Sequence, residues 1–230
     1  MEKIKPIKEL ELYIIRHGQS MGNAGYDKEE LTLKEENDPY LTRLGLQQAQ
    51  KAGTALSGIT FDAVYSSALL RAVRTAAEIL KMQAEKLPLN ILPLLTEIGV
   101  NPDYKGADME EIHEIYETAV LAEGLSQDSP LICHNNSDDE AGLFERAEKT
   151  INMLRENYKN GEKIALVCHA AFMTYLVFHI MGYKNAVPDF DIDFNNTSVT
   201  KVVFYKKGTN KYGDVVFEYI NSTRHLTDKY

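Results

Sequence analysis

Arg16 and His17 stand side by side at the end of an apolar run, ELYII, and Gly18 follows them. Three further apolar runs end in the same way. FDAVY leads into Ser66 and Ser67, with Arg71 one helical turn on; LNILPLL leads into Thr96 and Glu97; KIALVC leads into His169. Two arginines, two histidines and one carboxylate therefore follow strand-like segments directly. Around one point, the cations make a pocket for a dianion. Arginine offers planar, forked donors that match phosphate oxygens, and a transferring phosphoryl group spreads its charge over oxygens that such donors can reach. A neutral imidazole is also a good nucleophile at neutral pH, and a nearby carboxylic acid can protonate the departing alcohol and then activate water. Glu97 is the carboxylate best placed for that work; Asp103 is less well placed. Neither a Gly-rich phosphate loop ending in Lys-Ser/Thr nor a His-Glu-x-x-His zinc motif occurs, and this chemistry needs neither metal nor cofactor.

The elements that must position these residues alternate. ELYIIR, FDAVYSS, LNILPLLTE and KIALVCH read as short buried strands. LTRLGLQQAQKAGTAL, LLRAVRTAAEILKM and AAFMTYLVFHIMG read as helices. The first is capped by Thr42, with Leu44, Ala49, Ala52 and Leu56 near one face; the last closes at Gly182. From Asp108 to about Tyr158 the chain reads as mostly helical, interrupted by the polar loop HNNSDDEAG. TSVTKVVFYKKGTNKYGDVVFEYIN reads as a β-hairpin at a sheet edge. Strand and helix in alternation predict an α/β three-layer sandwich: a mostly parallel central sheet flanked by helices, with a helical cap over roughly residues 106–145 and the C-terminal hairpin. The 230 residues, 44% hydrophobic, suit one domain spanning 1–230. Open parallel sheets bind ligands beyond the carboxyl ends of their strands, which is where the candidate residues fall.

Composition narrows the function. A formal net charge of −9 disfavours a nucleic-acid binder. No apolar stretch approaches the length of a membrane span, and the N-terminus has no secretory apolar region. Cys133 and Cys168 suggest neither a disulfide framework nor a zinc site, so the expected compartment is the cytoplasm. The hairpin offers an edge through which a homodimer could form.

Taken together the motifs resemble the histidine phosphatase, or phosphoglycerate mutase-like, superfamily. RHGQSMGN resembles its R-H-G-x-S-x-x-N signature, YSSALLRAVRTAAEIL its S-x-L-x-R-A-x-x-T-A block and LTEIG its acid segment. ALVCHAAFMTYLVFHIMG resembles its strand–His–helix block and NNTSVTKVVF its late Asn-Thr-Ser strand. The match runs in order from about Leu12 to Phe204. The resemblance implies that His17 is the nucleophile and forms a phosphohistidine. Arg16, Arg71 and His169 would clamp the phosphoryl oxygens, Asn23 would contact phosphate, and Glu97 would be the general acid and base. The expected partner is a small phosphorylated substrate, and the expected activity is metal-independent phosphate monoester hydrolysis. MGN stands where mutases carry a Trp-Asn pair, and the chain has no tryptophan, which favours a phosphatase. The alternatives are a cofactor-dependent phosphoglycerate mutase and a catalytically silent phosphoryl-binding module. Plainer roles are expected elsewhere: Ser66 and Ser67 as helix caps, His113 on a solvated acidic helix, His134 in an exposed loop, and His179 at a core boundary.

Overall fold

The computed structural model describes residues 5–25, 31–133 and 140–227. Seven strands form one sheet: β1 (Lys8–Arg16), β2 (Ala63–Ser66), β3 (Leu89–Ile91), β4 (Ala119–Leu121), β5 (Glu162–Cys168), β6 (Val199–Tyr205) and β7 (Val215–Ser222). Their order is β4-β3-β2-β5-β1-β6-β7. The first five strands in that order run parallel; β6 pairs antiparallel with β1, and β7 antiparallel with β6. The helices are α1 (Leu33–Asn37), α2 (Arg43–Leu56), α3 (Leu70–Leu80), α4 (Met109–Ile115), α5 (Glu140–Asn157) and α6 (Ala170–Ile180). None is long and apolar enough to cross a membrane.

The apolar run Leu12–Ile15 of β1 suits its place between β5 and β6, covered on both faces. Leu10, Leu12 and Ile14 enter one core with α5 and α6, while Tyr13 and Ile15 enter another with α2 and α3. Side chains alternate across a strand, so one run of residues builds two hydrophobic layers. Helix α6 is apolar on most sides; Phe172, Met173, Leu176, Val177 and Phe178 are all buried.

Local signals account for the helix starts. Thr42 caps α2 by accepting from Gly45 N at 3.0 Å. Thr32 and Glu35 form a reciprocal capping box on α1. Ser67 accepts from Leu69 N at 3.2 Å, while Leu70, the first residue of α3, donates its N–H to Asp38 Oδ2 at 2.8 Å. Helix α6 ends before Gly182, which adopts φ +102°.

Two elements differ from the sequence reading. The segment from Asp108 to Tyr158 holds α4 and α5, but between them β4 adds an edge strand beside β3. Three residues are too few for a strand periodicity to register. On α2, Leu44 points outward at 49% exposure, and Gly45 is buried instead. A Cβ on Gly45 would overlap the Gln19 carbonyl, and one on Gly18 would overlap Gly45. The start of α2 thus lies backbone to backbone against the loop that follows β1. Ala49, Ala52 and Leu56 face inward as their spacing implies; Leu44 is the exception, and Gly45 takes the inner position at the helix start because glycine carries no apolar signal. His134 lies outside the described residues.

Candidate active site

The ends of β3, β2, β5 and β1 are neighbours in the sheet, so the residues following them meet. His17 follows β1. Its N–H donates to Cys168 O at 3.0 Å, and its carbonyl accepts from Thr197 N and the Asn196 side chain, each at 3.2 Å. The ring is 3% exposed. Its Nδ1 lies 2.7 Å from Gly18 O. A carbonyl only accepts, so Nδ1 carries the proton. Nε2 then holds a lone pair, and Arg71 Nε donates to it at 3.3 Å. Burial, then the Arg71 charge, holds the His17 ring well below the usual imidazole range, so it is neutral at physiological pH.

His169 caps α6 from the end of β5 and is fully buried. Its ring centroid lies 5.1 Å from that of His17. Burial, with Arg71 and His17 adding to it, also holds His169 well below the usual range. Neither of its ring nitrogens has a hydrogen-bond partner among the described residues, nor does Arg16 Nε. Buried polar groups are normally paired, and three unpaired polar atoms on the two residues flanking His17, in sequence and in space, leave hydrogen-bonding capacity that a ligand could satisfy.

Arg16 donates from Nη1 to Phe194 O at 2.6 Å. Arg71 donates from Nη1 to Asn37 O at 3.0 Å and pairs with Asp38 Oδ1 at 3.3 Å. Asp38 is fully buried and also accepts from Tyr104 Oη at 3.3 Å. It neutralises and orients the guanidinium. The chain arrives there because α1, started by its capping box, ends at Asn37.

Glu97 is half-buried and follows the 3₁₀ turn Pro93–Leu95 after β3. Its Oε1 accepts from Phe172 N at 3.0 Å and its Oε2 from Ala171 N at 3.3 Å, at the start of α6. Glu97 also lines a cavity of about 300 Å³, shared with Asn37, Asn101, Cys133 and Arg146. Arg146, from α5, is 4% exposed and lies 4.0 Å over the Phe172 ring. Asn23 is exposed. Its Oδ1 accepts from Ser20 N at 3.2 Å and Asn196 Nδ2 at 3.1 Å, which leaves its NH₂ as the donor end.

All six candidate residues thus belong to one region. Asp38, Thr75, Arg146, Asn196 and Thr197 are additions to it. Thr75 accepts from Gly18 N at 3.1 Å, and its position in the Arg-Ala-x-x-Thr block was a usable signal. Asp38 had none, since an acid before proline reads as a turn. His113 is exposed and contacts Ala119 O, and His179 sits at the core boundary; both lie outside the site.

A parallel sheet presenting a neutral histidine among arginines at its strand ends defines a phosphoryl-handling α/β protein. The family model of the histidine phosphatase superfamily (branch 1) matches residues 12–212, and the chain belongs to that superfamily. It is 30% identical to a broad-specificity phosphatase of Saccharomyces cerevisiae over 223 residues, 95% of this chain and 88% of the relative. It is 28% identical to the adenosylcobalamin/alpha-ribazole phosphatase of Escherichia coli over 181 residues, 75% and 80% of the two chains. The crystal structure of phosphoglycerate mutase from Bacillus anthracis shares the fold, with a TM-score of 0.63 at 21% identity over 98% of both chains.

Proposed function

We propose that the protein is a metal-independent phosphatase that hydrolyses small phosphate monoesters through a phosphohistidine on His17. The observation that carries this reading is the fixed tautomer of His17, with its Nε2 lone pair facing Arg71 and His169. Nε2 attacks phosphorus, and the bond from phosphorus to the ester oxygen breaks. Arg16, Arg71, His169 and the Asn23 amide hold the phosphoryl oxygens. Glu97 gives its proton to the leaving alcohol, which occupies the cavity beside it. Glu97, now a carboxylate, takes a proton from water, and the resulting hydroxide displaces the histidine to release inorganic phosphate. The cavity lies at the small end of ligand pockets and mixes amides and charged groups with apolar Ile98, Val100, Pro102 and Leu143, which suits a small alcohol with both polar and apolar parts.

The test is phosphate release from p-nitrophenyl phosphate and a metabolite panel, with 32P labelling of the protein. Wild type should label in an alkali-stable form with EDTA present, and His17→Ala should lose more than about a thousandfold in kcat. Retained activity in that variant would sink the reading. Isomer interconversion of phosphoglycerate with a bisphosphoglycerate primer, without free phosphate, would make it a mutase. Phosphate binding with no turnover would make it a binding module. The reading places the protein in the cytoplasm, checked by fractionation, and gives β7 as the edge for a homodimer, checked by sedimentation.

A further inference from the structure

The C-terminal strand and the turn after it reach back to the site. Among the described residues, Thr197 and Asn221 are the non-glycine residues with positive φ, at 55° and 54°. For a β-branched residue that conformation is costly and persists only where the surroundings impose it. Both residues belong to one bracket around the loop that precedes β6. Asn221 accepts from Asn195 N at 2.8 Å and donates from Nδ2 to Asp193 O at 2.7 Å. His225, in the 3₁₀ turn Arg224–Leu226 beside α2, has its Nε2 3.1 Å from Thr197 Oγ1. That hydroxyl has one proton, already given to Asn196 O at 2.8 Å. His225 Nε2 is therefore the donor.

The bracketed loop carries much of the site. Phe194 O receives Arg16, Thr197 N and Asn196 Nδ2 hold the His17 carbonyl, and the same Asn196 Nδ2 holds Asn23 Oδ1. We propose that His225 and Asn221 are positioning residues for the phosphoryl site: they lock the 193–197 loop so that His17, Arg16 and Asn23 keep their aim. Neither touches the reacting atoms. The effect travels from His225 through Thr197 and Asn196 to Asn23, a chain of contacts with a measurable coupling.

The proposal rests on the phosphohistidine reading for its effect on turnover, but not for its effect on phosphate affinity, so both are measured. The probes are inorganic phosphate by calorimetry and phosphohistidine formation from p-nitrophenyl phosphate by rapid quench. His225→Ala should weaken phosphate about tenfold and slow labelling about tenfold. His225→Gln, which retains a donor at the Nε2 position, should recover to within about threefold of wild type. The double variant His225→Ala with Asn23→Ala should be no worse than about the larger single effect, because both break one chain. Tyr212→Ala, at the exposed tip of the same hairpin, should match wild type. Wild-type phosphate affinity in His225→Ala, equal losses in the Ala and Gln variants, or multiplying losses in the double variant would overturn it. If wild type binds phosphate but never labels, the phosphohistidine reading falls, and the affinities still decide the bracket.

Discussion

At the scale of residues, Glu97 and Asp38 show how differently two carboxylates serve one pocket. Glu97 is held by two N–H groups at the start of α6 and lines the cavity of about 300 Å³. Glu97→Gln keeps an acceptor for one of those N–H groups, turns its NH₂ toward the other and removes the exchangeable proton. It should lower kcat on alkyl phosphates by about a hundredfold or more. With p-nitrophenyl phosphate, whose leaving group needs no proton, it should show a burst of nitrophenolate followed by slow turnover. Stopped-flow traces on both substrates check the split, and equal loss without a burst would remove Glu97 from the chemistry. Asp38 is fully buried against Arg71. Asp38→Ala leaves the guanidinium buried without its counter-charge and should cost about 3–5 kcal/mol of stability. Urea unfolding measures it. The sequence disclosed the first carboxylate and not the second. Glu97 follows a strand, where parallel sheets place their chemistry, whereas Asp38 sits in a loop and meets Arg71 33 positions later in the chain. No local pattern encodes that meeting.

At the scale of elements, the contact between α2 and the loop after β1 limits the site more than any side chain on α2. Gly45 and Gly18 let the two backbones touch. Gly45→Ala should push that loop away, lower the melting temperature and reduce kcat more than tenfold, even though alanine is the better helix former. Calorimetry and steady-state kinetics on the one variant check both. The strands and helices that carry the motifs were legible, because β1, β5 and α6 are apolar enough to leave no other reading. The inner face of α2 was legible in Ala49, Ala52 and Leu56 but not at Gly45 and Gly53, which make the close contacts, while Leu44 faces out. The edge strand β4 and the bracket from Asn221 and His225 escaped for a related reason: each is defined by a distant partner rather than by its own composition.

At the scale of the whole molecule, burial lowers the proton affinity of His17, His169, His179 and His225 alike. The unfolded chain, with imidazoles near their ordinary value of about 6.5, takes up protons first as pH falls. Their stabilising effect is thus complete above about pH 6.5, shrinks below it, and levels off once pH passes the folded values. The fully buried His17 and His169 should each contribute up to about 1.4 kcal/mol per pH unit in that window. Melting temperature should therefore be nearly flat from pH 8 to 7 and fall from pH 6.5 to 5, less steeply in His17→Asn. Scanning calorimetry across that range checks the sign. The strand order has a further consequence, in time rather than in space. β1 pairs with β5 from Glu162 onward and with β6 from Val199 onward. During synthesis β1, which leads into His17, emerges well before β5 and β6 and waits, largely apolar and unpaired, until they have followed. Such long-range closure makes folding slow and leaves a sticky segment open to misassociation. Nascent chains stopped before β5 should therefore need a chaperone to hold β1.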